Sequence, residues 1–583
     1  MPIWGEGRCL RTGLWGTVGA SAPGVGKLVH LLPTAGDRTP LLEENFVDRS
    51  DESESLIAGA ALGRRQFLRG IAATSAIVGA GGFLTACSGS SASTSTGGQS
   101  SAAAKPKRGG DLKVGLTGGG PTDTVDPHKG ITYLDSSRLQ SLYSPLVQLD
   151  ANAELEYMLA ESITPNGNFT KWTVKLRQGV TFHDGKPLTA QDVVFTLNRI
   201  LSNQLSGSIP LGPVDIKNTK AVDTHTVQIA MTKPYSSFVT QLAASWVYLY
   251  IAPVGFNPAK PVGTGPFMFK SLSTGQRSVF TRNPHYWRNG LPYADTLEIL
   301  DFANTVSLAA ALQTGQIHAA GTLDGPQIAT LDNASGIKAI ASKGGGIVPF
   351  TMRVDTPPFN DVRVRQAMRL LVDRAQLIDS ALDGHGSLAS DVFSPFDQDF
   401  NTKLVRHTDV DQAKSLLKQA GKEDLTVTLT TSAIATGTVA MATVLAEQAK
   451  AAGVKINVSN VPSGTFFGKQ YLQWPFAQDY YNYFPYLPQV AESMLVHSPF
   501  NETHTNDPTY TKWYDQANAT ASGSSLGKEL LFEMQNFDFT KGGYIIPAYV
   551  DALDAYSTKI SGFQAARIGQ PLSNFDMEHW FFV

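Results

Sequence analysis

Lys171-Trp172-Thr173-Val174-Lys175-Leu176-Arg177-Gln178-Gly179-Val180-Thr181-Phe182-His183-Asp184-Gly185-Lys186-Pro187-Leu188-Thr189-Ala190-Gln191-Asp192-Val193-Val194-Phe195 is the stretch on which the reading of this chain turns. Trp172, Val174 and Leu176 alternate with polar neighbours, the period of a half-buried strand. Val180-Thr181-Phe182 resumes the extended pattern after Gly179, and Asp184-Gly185 marks a turn. Thr189-Ala190-Gln191-Asp192 has the pattern of a capping box, in which hydroxyl and carboxylate satisfy each other's free amides at a helix start. Val193, Val194, Leu197, Ile200 and Leu201 then supply one apolar helix face.

Working outward, Asp111–Leu116 alternates as a strand, and so do Val227, Ile229 and Met231. Leu308–Leu312 belongs to a helix that Gly315 caps. Gln366–Leu382 reads as a single helix burying Ala367, Leu370, Leu371, Ala375 and Ile378. Helix Ala413–Ala420, strand Leu425–Thr431, helix Thr438–Ala452 and strand Val454–Val461 follow in turn, Gly421 and Gly453 ending the helices. That alternation predicts parallel pairing with a right-handed crossover. The fold class is mixed α/β, and no internal repeat interrupts it.

The chain has 583 residues, of which 17% are charged and 42% hydrophobic, with a net charge of −3. The apolar fraction supports real cores and excludes wholesale disorder. The near balance of 47 basic and 50 acidic residues, without a basic stripe, argues against nucleic-acid binding. Cys9 and Cys87 are the two cysteines, too few for a zinc site or a disulfide framework. His128 and His183 stand alone, without metal-ligand spacing, so neither a metal nor a cofactor is expected.

The first hundred residues read as an address. Arg64-Arg65 precedes Gly70–Ala86, an uncharged run of small and aliphatic residues, as in a twin-arginine export signal. Leu84-Thr85-Ala86-Cys87 resembles a bacterial lipobox, in which Cys87 is lipidated and becomes the first mature residue. Ser88–Arg108 is rich in Ser, Ala, Gly and Thr, a flexible tether with a span on the order of 25 Å. Residues 1–46 lie unusually far upstream of the arginines, as a start-site artefact or a poorly ordered extension.

Further segments bear on family. Arg108-Gly109-Gly110-Asp111-Leu112 is followed by Asp126-Pro127-His128. Gly263-Thr264-Gly265-Pro266-Phe267 precedes Arg282-Asn283-Pro284-His285-Tyr286-Trp287. Pro358-Phe359-Asn360-Asp361-Val362-Arg363-Val364-Arg365-Gln366-Ala367 precedes Asp373-Arg374. With the opening stretch, and in this order, they resemble the family 5 extracellular solute-binding proteins, the peptide/nickel-type receptors of ABC importers. The resemblance implies an α/β, two-lobe periplasmic-binding-protein-like fold, with an extra subdomain in the first lobe and a hinge between lobes. Residues 109–345 plus 547–583 would form lobe I, with the subdomain at about 149–220, and residues 346–546 lobe II. The crossings fall near Gly346–Phe350 and Tyr544–Pro547.

The resemblance also implies no enzyme activity, an exported lipid-anchored monomer, and two partners besides the membrane: a small solute and the ABC permease subunits. The motif residues Asp184, Arg282, Arg363 and Arg365 read as structural. Solute contacts are expected in the cleft, from Tyr133, Trp246, Phe350, Trp474, Asn482, Tyr483, Phe484 and Tyr486. Peptide-binding relatives often carry an Asp where this chain has Tyr483, so a free peptide is a weaker expectation. Oligosaccharide and metal-chelate receptors are the alternatives, because aromatic rings serve sugars, cations and apolar groups alike. An exported hydrolase is a more distant one: Gly523-Ser524-Ser525-Leu526-Gly527 fits G-x-S-x-G but follows a polar stretch rather than a strand.

Overall fold

A computed structural model describes residues 105–583 except Ile131, Ile209 and 246–248. The export signal, Cys87, the tether to residue 104, and Trp246 lie outside the described residues.

Two large sheets organise the chain. The eight-stranded sheet runs Ile337–Ile347, Ala548–Ser557, Ala319–Ala320, Asp111–Thr117, Thr296–Phe302, Arg277–Arg282, Phe267–Ser273, with Gly386–Leu388 also pairing to Ala548–Ser557. The five-stranded sheet runs Lys455–Asn460, Thr426–Thr431, Phe476–Gln478, Phe350–Met352, Tyr544–Ile545. Thr426–Thr431 and Lys455–Asn460 are parallel around helix Thr438–Ala449, as the alternation predicted. Each sheet is the centre of its own apolar core, giving two lobes.

The opening stretch builds a third, four-stranded sheet of Ala160–Pro165, Lys171–Leu176, Thr226–Met231 and Val214–Ala221. It extends to Met231, past the expected limit at residue 220. Trp172, Val174 and Leu176 point into its core, with Val193, Leu197 and Ile200 of helix Ala190–Ser202 packed on them. The capping box is formed: Asp192 accepts the Thr189 N–H at 2.8 Å. Val180–Phe182 makes only an isolated bridge, Thr181 to Pro187, rather than a strand. The single helix expected over Gln366–Leu382 is two, Val362–Leu370 and Arg374–Ala381. Asp373 breaks it, because its carboxylate accepts the Gln376 N–H at 3.0 Å and caps a new helix.

Two short passages link the two large sheets, from Ile347 to Phe350 and from Ile545 to Ala548, and the chain also reaches back to the eight-stranded sheet at Gly386–Leu388. Both passages are tied down. Ile347 and Tyr481 exchange two backbone hydrogen bonds of 2.9 Å. Arg369 donates to the carbonyls of Tyr544 at 2.9 Å and Asp538 at 3.1 Å, and Asp391 accepts the Ile546 N–H at 3.0 Å. Asp391 is fully buried and pairs with Arg374 at 2.9 Å and Arg406 at 3.0 Å. Burial alone would raise its carboxyl, but Arg374, Arg369 and Arg406 outweigh burial and hold it below the ordinary range.

Candidate functional site

Tyr133 opens helix Tyr133–Leu142, whose N-cap Thr132 accepts the Asp135 N–H at 3.0 Å. The far end of that helix is set by close approach: a Cβ on Gly263 or Gly265 would overlap the Leu142 backbone. The Gly263-Thr264-Gly265 motif is therefore a packing requirement. The helix is locked internally by Arg138, buried between Asp123 and Asp135 at 3.0 Å each. Tyr133 is thereby presented to the other lobe, where its hydroxyl donates to Asn482 Oδ1 at 2.8 Å.

Behind Tyr133 sits Phe575, ring centroids 6.2 Å apart. It ends a left-handed run in which Leu572, Ser573, Asn574 and Phe575 have φ of 56°, 55°, 61° and 57°. L-residues pay about 1–2 kcal/mol each for that conformation. Three hydrogen bonds hold the run: Leu572 N–H to Asp554 at 3.0 Å, Gln564 N–H to Ser573 Oγ at 2.8 Å, and Asn574 Nδ2 to the Leu149 carbonyl at 3.2 Å. Burial of Leu572 and Phe575 adds to them.

Next to Asn482, the Tyr483 N–H donates to the Ile568 carbonyl at 3.0 Å, and Gly345 N–H donates to the Arg567 carbonyl at 2.9 Å. The Tyr483 ring lies 5.4 Å from Phe396, and Arg567 sits 5.4 Å over Phe396. A Cβ on Gly345 would come within 2.6 Å of the Tyr483 ring, so glycine makes room for it. A second contact joins the small sheet's lobe to the five-stranded one. Lys233 pairs with Asp515 at 2.7 Å, Ser237 Oγ donates to Asn518 Oδ1 at 2.6 Å, and Ser236 N–H donates to the Asn518 carbonyl at 2.8 Å. The lobes thus touch through aromatic and amide contacts, with Arg567 and the Lys233–Asp515 pair among them.

The expected solute residues divide. Tyr133, Asn482 and Tyr483 come together at the seam, with Phe484 half-buried beside them. Trp474 is half-buried elsewhere in the five-stranded lobe, its indole donating to the Phe466 carbonyl at 3.2 Å. Phe350 and Tyr486 are corrections. Phe350 lies on a strand paired on both sides, and its ring packs on Phe476 in the lobe core at 0% exposure. The Tyr486 hydroxyl is turned inward to Asp538 and Tyr510. Phe396, Arg567, Ile568 and Phe575 were missed, since each reaches the seam from a distant stretch without a local signal.

The residues read as structural behave so. Arg363 pairs with its own N-cap Asp361 at 2.6 Å, and Arg365 donates to the Lys541, Gly542 and Phe359 carbonyls. Arg282 holds the Ala294 carbonyl at 3.0 Å. His128 is buried, 2.8 Å from the Tyr250 carbonyl, and burial lowers it to about 4. Among the described residues, Asp576, Glu578 and His579 bring ligating atoms within 4.8 Å of one another. Arg288 takes Glu578 at 2.7 Å and His579 takes Asp576 at 2.6 Å, so these groups already neutralise one another. Ser525 begins helix Ser525–Thr540 with Ser524 as its N-cap, not the strand-to-helix elbow of a hydrolase.

Residues 154–503 match the bacterial extracellular solute-binding proteins, family 5. The chain belongs to this family. It is 30% identical over 363 residues to the oligopeptide-binding protein AppA of Bacillus subtilis, covering 59% of this chain and 64% of AppA. It is 30% identical over 316 residues to the glutathione-binding protein GsiB of Escherichia coli, covering 51% of this chain and 59% of GsiB. Both matches span under two thirds of the relative's length. The periplasmic binding protein DppA of Helicobacter pylori, solved with the peptide STSA, superposes with a TM-score of 0.71 at 19% identity. That superposition covers 82% of this chain and 98% of DppA, and it establishes the two-lobe fold. The family is one of extracellular binding proteins, and among the described residues no helix is long and apolar enough to cross a membrane.

Proposed function

We propose that this chain is the extracytoplasmic solute-binding subunit of an ABC importer. It closes its two lobes on a peptide-like or other small organic solute and delivers it to the permease. The observation that carries the reading is the Tyr133–Asn482 hydrogen bond of 2.8 Å between lobes that two short passages connect. Hinge closure of this kind works when solute prefers the closed state. Tyr133, Asn482, Tyr483 and Phe484 are the assigned solute contacts, while Trp474 packs on Phe466 away from the seam. The names of AppA and GsiB, and the peptide bound to DppA, support a peptide-like solute.

The lobe boundaries follow the passages. In this reading residues 109–347 plus 548–583 are one lobe, including the four-stranded sheet, and residues 350–545 are the other, save that Gly386–Leu388 pairs onto the first lobe's sheet. Anchoring goes through a lipid on Cys87, the protein acts as a monomer, and it catalyses no reaction. Native mass spectrometry of the purified protein, before and after unfolding and refolding, tests the reading. The expected result is a small organic mass carried at near one per chain, lost on unfolding and regained from a low-molecular-mass growth-medium fraction. A chain that neither carries nor regains such a mass contradicts it.

A further inference from the structure

Helix Tyr486–Ser493 of the five-stranded lobe packs on helix Phe238–Ala244 of the other lobe, and Glu492 is buried there at 7% exposure. Among the described residues no hydrogen bond or salt bridge reaches its carboxylate. Burial alone acts on it and pushes it up to about 7. The contact lies between lobes, since Lys233–Asp515 and the Ser236 and Ser237 bonds to Asn518 belong to it too.

The ionisable groups on the surrounding elements leave Glu492 uncompensated. Helix Phe238–Ala244 carries none. Tyr235, just ahead of that helix, and Tyr514 of helix Pro508–Asn518 come one from each lobe, and the Glu492 charge raises both hydroxyls. Lys233 and Asp515 are spent on each other at 2.7 Å. On the helix that carries Glu492, Tyr486 turns its hydroxyl to Asp538, and Asp397 accepts the Tyr486 N–H at 2.9 Å. Beyond it, Tyr544 donates to the Ser493 carbonyl at 3.4 Å and Glu502 takes the Tyr481 hydroxyl at 2.9 Å. His497 and Lys512 are exposed.

A carboxyl without a partner is tolerated in such a place as the neutral acid, because burying the unpaired anion is far more costly. Separating the two helices returns it to water and to the ordinary carboxyl range. We propose that Glu492 couples lobe closure to the uptake of one proton from solvent, a step that rests on the capture-by-closure reading: the closed form keeps Glu492 as the neutral acid and the open form releases the proton. The closed form holds the raised value. Its advantage is therefore complete below the ordinary value and is lost as pH rises to the raised one, by about tenfold per pH unit. Solute is held more tightly in mild acid than at neutral pH.

The test incubates solute-stripped protein with serial dilutions of a low-molecular-mass growth-medium fraction at pH 5.5 and 7.5. Native mass spectrometry reads the share of chains that carry a small organic mass. The loading midpoint is expected to rise at least about tenfold between the two pH values. Glu492→Gln, neutral at both, is expected to load at pH 7.5 as readily as at pH 5.5, with Glu492→Met in its place if the glutamine variant does not fold. A wild-type midpoint that stays constant, or a rise that persists in the variant, overturns the proposal. So does a midpoint that falls with pH and worsens in the variant, which would make Glu492 the partner of a cationic solute. Those three results leave the importer reading standing, since solute is still carried. A chain that carries no mass at either pH overturns both.

Discussion

Tyr133 and Asn482 meet through one part-buried hydrogen bond, so the energy at stake in it is about 0.5–1.5 kcal/mol. Tyr133→Phe is expected to keep the fold and weaken solute retention by roughly three- to tenfold, as read by solute off-rate. Tyr133→Phe with Asn482→Ala is expected to cost little more than either alone, because the pair shares one interaction. Asp554 works through protonation instead. Burial pushes its carboxyl up to about 8 while it holds the Leu572 N–H. An acid raised in the folded state stabilises below its unfolded value, and that contribution is lost as pH rises through the folded one. Melting temperature is therefore expected to fall between about pH 4 and 8, and Asp554→Asn to flatten that fall. Aromatic richness around residues 474–486 was legible in the sequence. Which rings face inward was not, because Phe350 and Tyr486 differ from Tyr483 only in what the distant chain places beside them.

The elements were more legible than the residues. Strand Lys171–Leu176 and helix Ala190–Ser202 follow from local periodicity and capping, forces that act within a few residues. The left-handed run Leu572–Phe575 contains no glycine and was invisible, since tertiary hydrogen bonds and burial sustain it. The glycine motif at 263–265 showed its pattern but not its cause, the Leu142 backbone. Gly265→Ala is expected to displace helix Tyr133–Leu142, lowering stability by about 1–3 kcal/mol in urea melts and weakening solute binding with it. At the return passage, Asp391→Asn leaves Arg374 and Arg406 buried against a neutral partner. The expected loss is about 3–5 kcal/mol, seen in the denaturant midpoint. Asp391 is held below the ordinary range, so its contribution is present at neutral pH and disappears only as pH falls through that lowered value.

At the scale of the molecule, two sheets joined by two short passages give a body whose natural motion is opening and closing. The seam supplies what closure gains: the Tyr133–Asn482 bond, the Tyr483 N–H to Ile568 carbonyl bond and the Lys233–Asp515 pair. The division into two lobes could be read from the order of motifs, whereas the touching surfaces could not, because they join residues hundreds of positions apart. The most direct test places one dye in each lobe, through Lys217→Cys and Lys418→Cys, both exposed, with Cys9 and Cys87 replaced by alanine. Energy transfer is then measured on solute-stripped protein as a low-molecular-mass medium fraction is added. Saturable approach of the dyes, lost in Tyr133→Ala/Asn482→Ala, is the predicted result. A dye separation that stays constant across every fraction, while the protein carries solute, contradicts capture by closure.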